Sequence, residues 1–383
     1  MKTFCEYFDQ HLCRSCSLLP ITYTDQVSQK ESILLKKLNI DQSLLLPTIT
    51  SNLLGFRNKV KLAVGLKGED ITFGLVDKNF NTVDLSQCPV QNPVINEMLP
   101  LIKEFITTTK LSVYDPRTSK GELKYIIIYY NPHSNESYLR LVLRSKEAHS
   151  RLIKHLSFIQ DRINHLKIIS INIQPSPHPI LEGEEEIVLS SQTHLNHTLY
   201  NINFKLSPQG FVQTNLEVST SLYQQAALWI KELNGDKFLE LFSGQGAFSF
   251  FAAQNVRSAL GIEINQSAVD SANLSAQKLG LNHLSFKCLD ASHIKEELNQ
   301  FSPDIILANP PRRGLAESLD LINHSGATYF IYSSCNYETL SSDLSALSHY
   351  KIEKAQIFDM FAHTEHFETL VLLKKIVVEL PDV

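Results

Sequence analysis

From about residue 216 onward the sequence alternates short apolar runs with helix-patterned segments, and no other feature constrains the fold as tightly. A helix is predicted over 216–233. Strands are predicted over 238–241, 259–264, 284–288, 305–308 and 329–332, each a run too short for a helix and largely apolar. Such runs, with helices between them, form a parallel sheet covered on both faces. The last two apolar runs, 351–358 and 367–374, have no helix between them. They are expected to pair antiparallel at one edge of that sheet. There is no internal repeat and no low-complexity tract.

The upstream half reads differently. Residues 1–50 are loop-rich, with a helix predicted over 25–38. Beyond Phe56, Arg57, Lys59 and Lys61 alternate with Val60, Leu62 and Val64, which predicts a sheet with one wet, basic face. A helix over 93–108, strands over 125–130 and 138–144, a helix over 146–166 and a strand over 167–174 follow. Glu182, Glu184, Glu185 and Glu186 read as a solvated acidic turn. The chain of 383 residues carries a net charge of −5, yet residues 101–170 carry +6 and the remainder −11. That asymmetry means either two ordinary surfaces of opposite sign or a middle domain that holds RNA by its phosphates. An apolar fraction of 43% and a charged fraction of 20% exclude wholesale disorder. No run approaches the roughly 18 apolar residues of a membrane span. The N-terminus has no apolar core of signal-peptide type, so a soluble cytoplasmic protein is expected.

Three of the six cysteines, Cys5, Cys13 and Cys16, fall in the spacing Cys-x7-Cys-x2-Cys, and Cys88 follows in Gln-Cys-Pro. A cytosolic setting disfavours disulfides. Four thiolates can complete a tetrahedral zinc site or an iron–sulfur site. The alternative is unrelated thiols in a loose terminus.

Four segments carry chemistry. Glu240-Leu-Phe-Ser-Gly-Gln-Gly-Ala-Phe248 follows a strand and opens a helix, and Gly244 and Gly246 allow a tight turn close to a ligand. Glu263, at the end of the next strand, can accept hydrogen bonds from ribose hydroxyls, or else simply caps a helix. The loop lacks the phosphate-cradling G-x-G-x-x-G pattern, which favours S-adenosylmethionine over NAD. Asn309-Pro-Pro-Arg-Arg-Gly314 closes the fourth strand, and its prolines fix the backbone there. Arg312 stands where methyltransferases acting on amino groups carry an aromatic residue. Ser333-Ser-Cys-Asn336 places a thiol at the carboxyl end of the fifth strand, as a nucleophile or as a small buried hydrophobe. The loop from Asp359 to Glu368 offers three carboxylates and two histidines, and spacing alone does not choose a base among them.

Taken together with Gly55-Phe-Arg-Asn-Lys59, Gly121-Glu-Leu-Lys-Tyr125 and Phe211-Val-Gln-Thr-Asn215, these motifs resemble the RNA 5-methyluridine methyltransferase family. Within it the similarity is to the RlmC-type branch, which acts on 23S ribosomal RNA at a uracil-747-type site. The resemblance runs from the first cysteine to about Lys374. It implies a C-terminal Rossmann-like class I methyltransferase domain over 206–383 and a central RNA-binding α+β domain over 51–205. It also implies an N-terminal iron–sulfur region over 1–50, to which Cys88 is added from the next segment. Cys5, Cys13, Cys16 and Cys88 then match ligands of a [4Fe–4S] cluster. Gln213, Phe242, Gly244, Glu263 and Asn309 fall at S-adenosylmethionine positions, Cys335 at the nucleophile and Glu368 at the base. Cys288 matches no motif and is expected in the core. A monomer is expected. With four residues before Cys5, an N-terminal barrel of the TRAM type is not. Ser243, Glu240 and Asn309 depart from the commoner Cys, Asp and Asp, and Ala362 and Phe367 from Pro and Tyr in the base loop. The rival readings are another branch with a different rRNA or tRNA site, or a non-catalytic iron–sulfur RNA-binding protein.

Overall fold

The computed structural model describes residues 3–176 and 181–376. The chain forms two compact units. One takes the residues up to Cys16 together with Asn52–Leu216; the other takes Ser17–Ser51 together with the chain from Glu217 onward. The expected 1–50 region is therefore divided between them after Cys16. Its residues form α1 (Glu6–Asp9) in the first unit, and α2 (Tyr23–Leu38) and β1 (Leu45–Ile49) in the second.

In the first unit come β2 (Lys59–Lys67), β3 (Asp70–Val76), β4 (Thr82–Asp84), α3 (Pro93–Thr108), β5 (Leu123–Asn131), β6 (Glu136–Leu143), α4 (His149–Lys154), α5 (Leu156–Gln160), β7 (Leu166–Ile173) and β8 (Glu185–Val188). A hairpin of β9 (Leu195–Leu199) and β10 (Ile202–Leu206) follows. The sheet order is β4-β3-β2-β5-β6-β7-β8, antiparallel except at β6–β7. Asn92 starts α3 by accepting the Val94 N–H at 3.1 Å, with Pro93 in the first turn. Ile95, Leu99, Ile102 and Phe105 share one core with Ile126 and Ile128 of β5. The helix expected over 146–166 is interrupted at His155 (φ −113°, ψ 11°) and becomes two short ones.

The basic face expected on this sheet is wet only in part: Lys61 is exposed and Lys59 half-buried, while Arg140 on β6 is shut in. Arg140 is only 2% exposed and is held by Glu186 and Glu182, with N–O distances of 2.7 and 2.5 Å. Glu182 also pairs with Lys61. The acidic segment read as a solvated turn is thus the counter-charge of the sheet, and Glu186 lies on β8. Burial, Lys61 and Arg140 together push the Lys59 ammonium down to about 7. The positive excess of residues 101–170 is likewise partly spent internally. Lys103, Arg117, Arg140, Arg144, Lys146, Arg151 and Arg162 all stand within ion-pair distance of a carboxylate.

The second unit contains α6 (Leu216–Leu233), β11 (Lys237–Leu241), α7 (Ala247–Ala252), β12 (Ser258–Glu263), α8 (Gln266–Lys278), β13 (Leu284–Cys288), α9 (Lys295–Phe301), β14 (Ile305–Ala308), α10 (Ser318–Asn323), β15 (Tyr329–Ser334), α11 (Tyr337–Ala346), β16 (Tyr350–Phe358) and β17 (Glu368–Lys375). Its sheet runs β1-β16-β17-β15-β14-β11-β12-β13, and only β17 is antiparallel to its neighbours. The parallel core is the one the sequence predicts. The closing antiparallel pair is not at the edge, because β1 adds in parallel beside β16. Pro47 masks this strand in the sequence: it has no N–H to give, which suits only an edge position. The register shifts there, and Gln356 Nε2 donates to the Pro47 carbonyl at 2.8 Å.

Helix α2 is locked to the loop after β16. Lys30, 1% exposed, pairs with the fully buried Asp359 at 2.6 Å, and the Tyr23 hydroxyl donates to the other carboxylate oxygen at 2.7 Å. Tyr23 in turn accepts the Ser51 N–H at 2.8 Å. Burial pulls the Lys30 ammonium below its ordinary value, and Asp359 opposes that shift. Lys30→Met leaves Asp359 buried without its counter-ion. It is expected to cost about 3–5 kcal/mol in urea unfolding; an unchanged midpoint would remove the pair from the stability account.

Candidate active site

Strand order reverses between β11 and β14, which opens a crevice at their carboxyl ends. The Gly-rich loop follows β11 there. Phe242 and Gly244 take left-handed backbone (φ 57° and 54°), and Gly246 (φ 81°) precedes α7. A Cβ on Gly246 would meet the Phe286 ring at 2.4 Å, so only glycine fits; at Gly244 nothing lies within 4 Å of an added Cβ, so the loop there borders open space. Glu263 fixes the loop: one carboxylate oxygen accepts the Gly244 N–H at 2.8 Å and the other the Asn265 N–H at 2.9 Å. Each oxygen keeps a second lone pair for a ligand hydroxyl. The Ser243 hydroxyl is buried without a hydrogen-bond partner. Glu240, 1% exposed, accepts the Ser249 N–H at 2.9 Å and the Ser249 hydroxyl, and burial pushes its carboxyl up to about 8. Asn309 follows β14, and its N–H reaches the Leu241 carbonyl at 3.3 Å. Phe242, Gly244, Glu263 and Asn309 are thus brought to the ends of three adjacent strands. Gln213 is buried in the first unit.

Cys335 follows β15, and Glu368 opens β17, the strand paired with β15. Asn336 caps α11 directly after the thiol, accepting the Glu338 N–H at 3.1 Å. Glu368 is 1% exposed and accepts the Ser333 hydroxyl at 2.9 Å. Burial pushes it up to about 7, against the lowering effect of Ser333. Burial and the charge of Glu368 also raise the Cys335 thiol, while Arg312 lowers it through its charge and a hydrogen bond. A thiol beside a buried carboxyl raised to about 7, at the end of this sheet, has the chemistry that a nucleophile and a base require.

The structure also sorts the loop that spacing left open. Asp359 is committed to Lys30 and Tyr23. His363 N–H donates to Gln26 Oε1 at 3.0 Å, and its carbonyl accepts the Leu18 N–H at 2.9 Å. Glu365 and His366 are exposed. Only Glu368 is both buried and adjacent to Cys335. Despite Ala362 and Phe367, the loop is pinned by residues 18–30, and Phe367 stacks on Tyr337 with ring centroids 5.4 Å apart. Two participants escaped the sequence reading. Arg312 was weighed only as a missing aromatic, and Ser333 only as a polar neighbour, although both lie within the motifs. Cys288 is exposed rather than a core residue, with its thiol 3.3 Å from the Ile264 carbonyl.

In the first unit, Cys5, Cys13, Cys16 and Cys88 all line one cavity of about 330 Å³, with Arg57 in its wall. The Tyr7 hydroxyl accepts the Gln87 N–H at 3.1 Å and so fastens the N-terminal turn beside the Cys88 loop. Burial raises the thiols of Cys16 (to about 12) and Cys88. Among the described residues no group of three or more His, Cys, Asp or Glu is arranged to hold a single metal ion. Four thiols lining one cavity are the donor type that both a zinc ion and an iron–sulfur cluster take.

The model of the tRNA (uracil-5-)-methyltransferase family matches residues 22–376. The chain is 39% identical over 366 residues to the 23S rRNA (uracil(747)-C(5))-methyltransferase RlmC of Proteus mirabilis, covering 94% of this chain and 96% of that one. It is 37% identical to the RlmC of Glaesserella parasuis, covering 97% and 98%. The solved Pyrococcus abyssi tRNA (uracil-54, C5)-methyltransferase in complex with S-adenosyl-L-homocysteine shares the α/β methyltransferase fold. Its TM-score is 0.78 at 23% identity, over 94% of this chain and 85% of that one. Matched by the family model from residue 22 to 376, and similar to curated relatives along almost their full length, the chain belongs to the uracil-5 RNA methyltransferase family.

Proposed function

We propose that this protein methylates carbon 5 of a uridine in 23S ribosomal RNA, at a uracil-747-type site, using S-adenosylmethionine. The observation that carries the reading is the placement of Cys335, directly after β15, beside the buried Glu368 that opens the neighbouring β17. Supporting it are relatives of RlmC type at 36–39% identity.

Carbon 5 of uracil is too weak a nucleophile to take a methyl group unaided. The Cys335 thiolate forms a bond to carbon 6, and the displaced electron pair makes carbon 5 nucleophilic. S-adenosylmethionine supplies an electrophilic methyl group on a sulfonium. Glu368 then removes the proton from carbon 5, carbon 5 and carbon 6 regain their double bond, and the thiol leaves. Arg312 favours the thiolate that begins the sequence. The target base must leave its stack to be reached from both sides. Phe242, Gly244, Glu263 and Asn309 would hold the cofactor, with Glu263 on its ribose hydroxyls. An rRNA substrate makes the compartment cytoplasmic; among the described residues no helix is long and apolar enough to cross a membrane.

Mapping 5-methyluridine by mass spectrometry across 23S RNA from cells with and without the protein tests this. One mark should disappear with it. An unchanged map would sink the reading, and loss at another rRNA or tRNA site would move the protein to another branch.

Cys5, Cys13, Cys16 and Cys88 are proposed to hold a [4Fe–4S] cluster, on the strength of their shared cavity. Its role would be to staple a terminus with little core of its own. Protein purified without oxygen should contain iron and acid-labile sulfide in equal amounts, and Cys88→Ser should lose both. Zinc, or no metal, would overturn the proposal.

A further inference from the structure

A second cavity of about 330 Å³ in the first unit takes no part in the chemistry above. It lies between β2, the β3–β4 turn and the segment leading into β5. Tyr114, Tyr125 and Phe80 give it aromatic walls, and Arg117 and Lys124 give it cations; Asp115 is the one carboxylate among its lining residues.

The turn that carries Phe80 is built to display it. Asp77 Oδ1 accepts the N–H groups of Asn79 (2.7 Å) and Asn81 (2.8 Å), and the Phe80 N–H donates to the Asp77 carbonyl at 3.0 Å. Phe80 sits at φ 62°, a backbone conformation that costs a bulky side chain energy, yet the residue is 54% exposed. Leu66 and Val76, also lining the cavity, are 56% and 44% exposed. Opposite, Lys124 is fixed by the Gln174 carbonyl (2.7 Å), the Gln174 side chain and the Ser176 carbonyl (2.6 Å), with its ammonium over the Tyr114 ring, 4.8 Å from the centroid. Arg117 is exposed at the rim and holds Asp115 at 3.0 Å.

The volume falls in the class of small-ligand pockets. The combination of planar aromatic walls, an exposed apolar ring and a net positive lining suits a ligand that is flat and apolar on its faces and anionic along its backbone. Single-stranded nucleic acid has that chemistry, and its bases stack on aromatic side chains while cations take the phosphates. We infer that this cavity is a second RNA subsite, which receives an unpaired base of the substrate RNA and stacks it against Phe80 and Tyr114, with Arg117 at its phosphate. The inference rests on the RNA substrate proposed above, because a base flipped from a loop leaves unstacked neighbours behind it.

The test is direct binding, by fluorescence anisotropy, of the full-length protein to a fluorescein-labelled 12-nucleotide single-stranded RNA and to the same strand with abasic residues. Phe80→Ser, at an exposed position, and Tyr114→Ala should each weaken binding of the base-bearing strand at least about fivefold, as loss of one stacked base does. Neither should weaken the abasic strand further, and S-adenosylhomocysteine affinity should not change. Arg117→Ala should lower the slope of log K against log salt by about 0.7. Equal affinity of wild type and both aromatic variants for the base-bearing strand would overturn the subsite. So would equal wild-type affinity for the two strands. Because this assay needs no methyl transfer, its outcome is separable from the 5-methyluridine map: a lost mark with unchanged binding sinks the subsite alone.

Discussion

Cys335→Ala is expected to remove all detectable 5-methyluridine formation, a loss of about 10⁴-fold or more, while S-adenosylmethionine still binds. The alanine deletes the sulfur proposed to bond to carbon 6, and the other thiol of this unit, Cys288, is the last residue of the edge strand β13. The proposed cofactor contacts would be left intact, because they come from the loop after β11 and from Glu263, which is bonded to that loop and not to Cys335. The pH dependence gives a second reading of the same residue. Its thiol is raised above the ordinary 9.0, chiefly by burial, so the reactive thiolate grows as pH rises and adduct formation should accelerate into the alkaline range. Arg312 opposes that rise. Arg312→Ala should therefore move the profile further alkaline, as measured by the single-turnover rate against pH. Residual methylation by Cys335→Ala would exclude the thiol as nucleophile.

Glu368→Gln should do something different: it should trap. The amide fills the same buried site and can still accept from Ser333, so addition and methyl transfer proceed. The carbon 5 proton then has no base to go to, and the thioether persists. Turnover is expected to fall about 10²–10⁴-fold, with a covalent protein–RNA adduct that survives denaturing electrophoresis. In the wild type, burial holds this carboxyl at about 7. The base form is the deprotonated one, so product release should increase as pH rises through about 7. Normal release by Glu368→Gln would assign the proton to another group.

Much of this was legible because it is local. The parallel strands announce themselves as continuous apolar runs, since both faces are covered. Helix α3 is marked by Asn92 and Pro93. The thiol and the carboxylate stand in local motifs, although the family resemblance, and not spacing, singles out Glu368 among its neighbours. What failed was mostly long-range. Pro47 hides β1, because a strand containing proline exists only where a sheet edge is offered. Arg140, on a strand that alternates normally, is buried because Glu182 and Glu186 return to it more than 40 residues later. The acidic turn and the basic face were one network seen as two surfaces. Cys288 ends an edge strand and is exposed there.

The partition of residues 17–51 has a consequence for how the chain is made. Lys30 and Asp359 are 329 residues apart in sequence. At about 5–20 residues per second, α2 emerges from the ribosome roughly 15–65 s before its partner does. Throughout that interval the helix carries a lysine and Leu34 meant for a dry interior. The stretch from Asn52 to Leu216, by contrast, has its own sheet and can close as soon as it is complete. The two units are therefore completed in the order in which they begin, and only the early segment from Ser17 to Ser51 has to wait for the unit it belongs to. A nascent chain stalled before Asp359 should accordingly be cut by protease within α2 while its sheet from β2 to β8 resists.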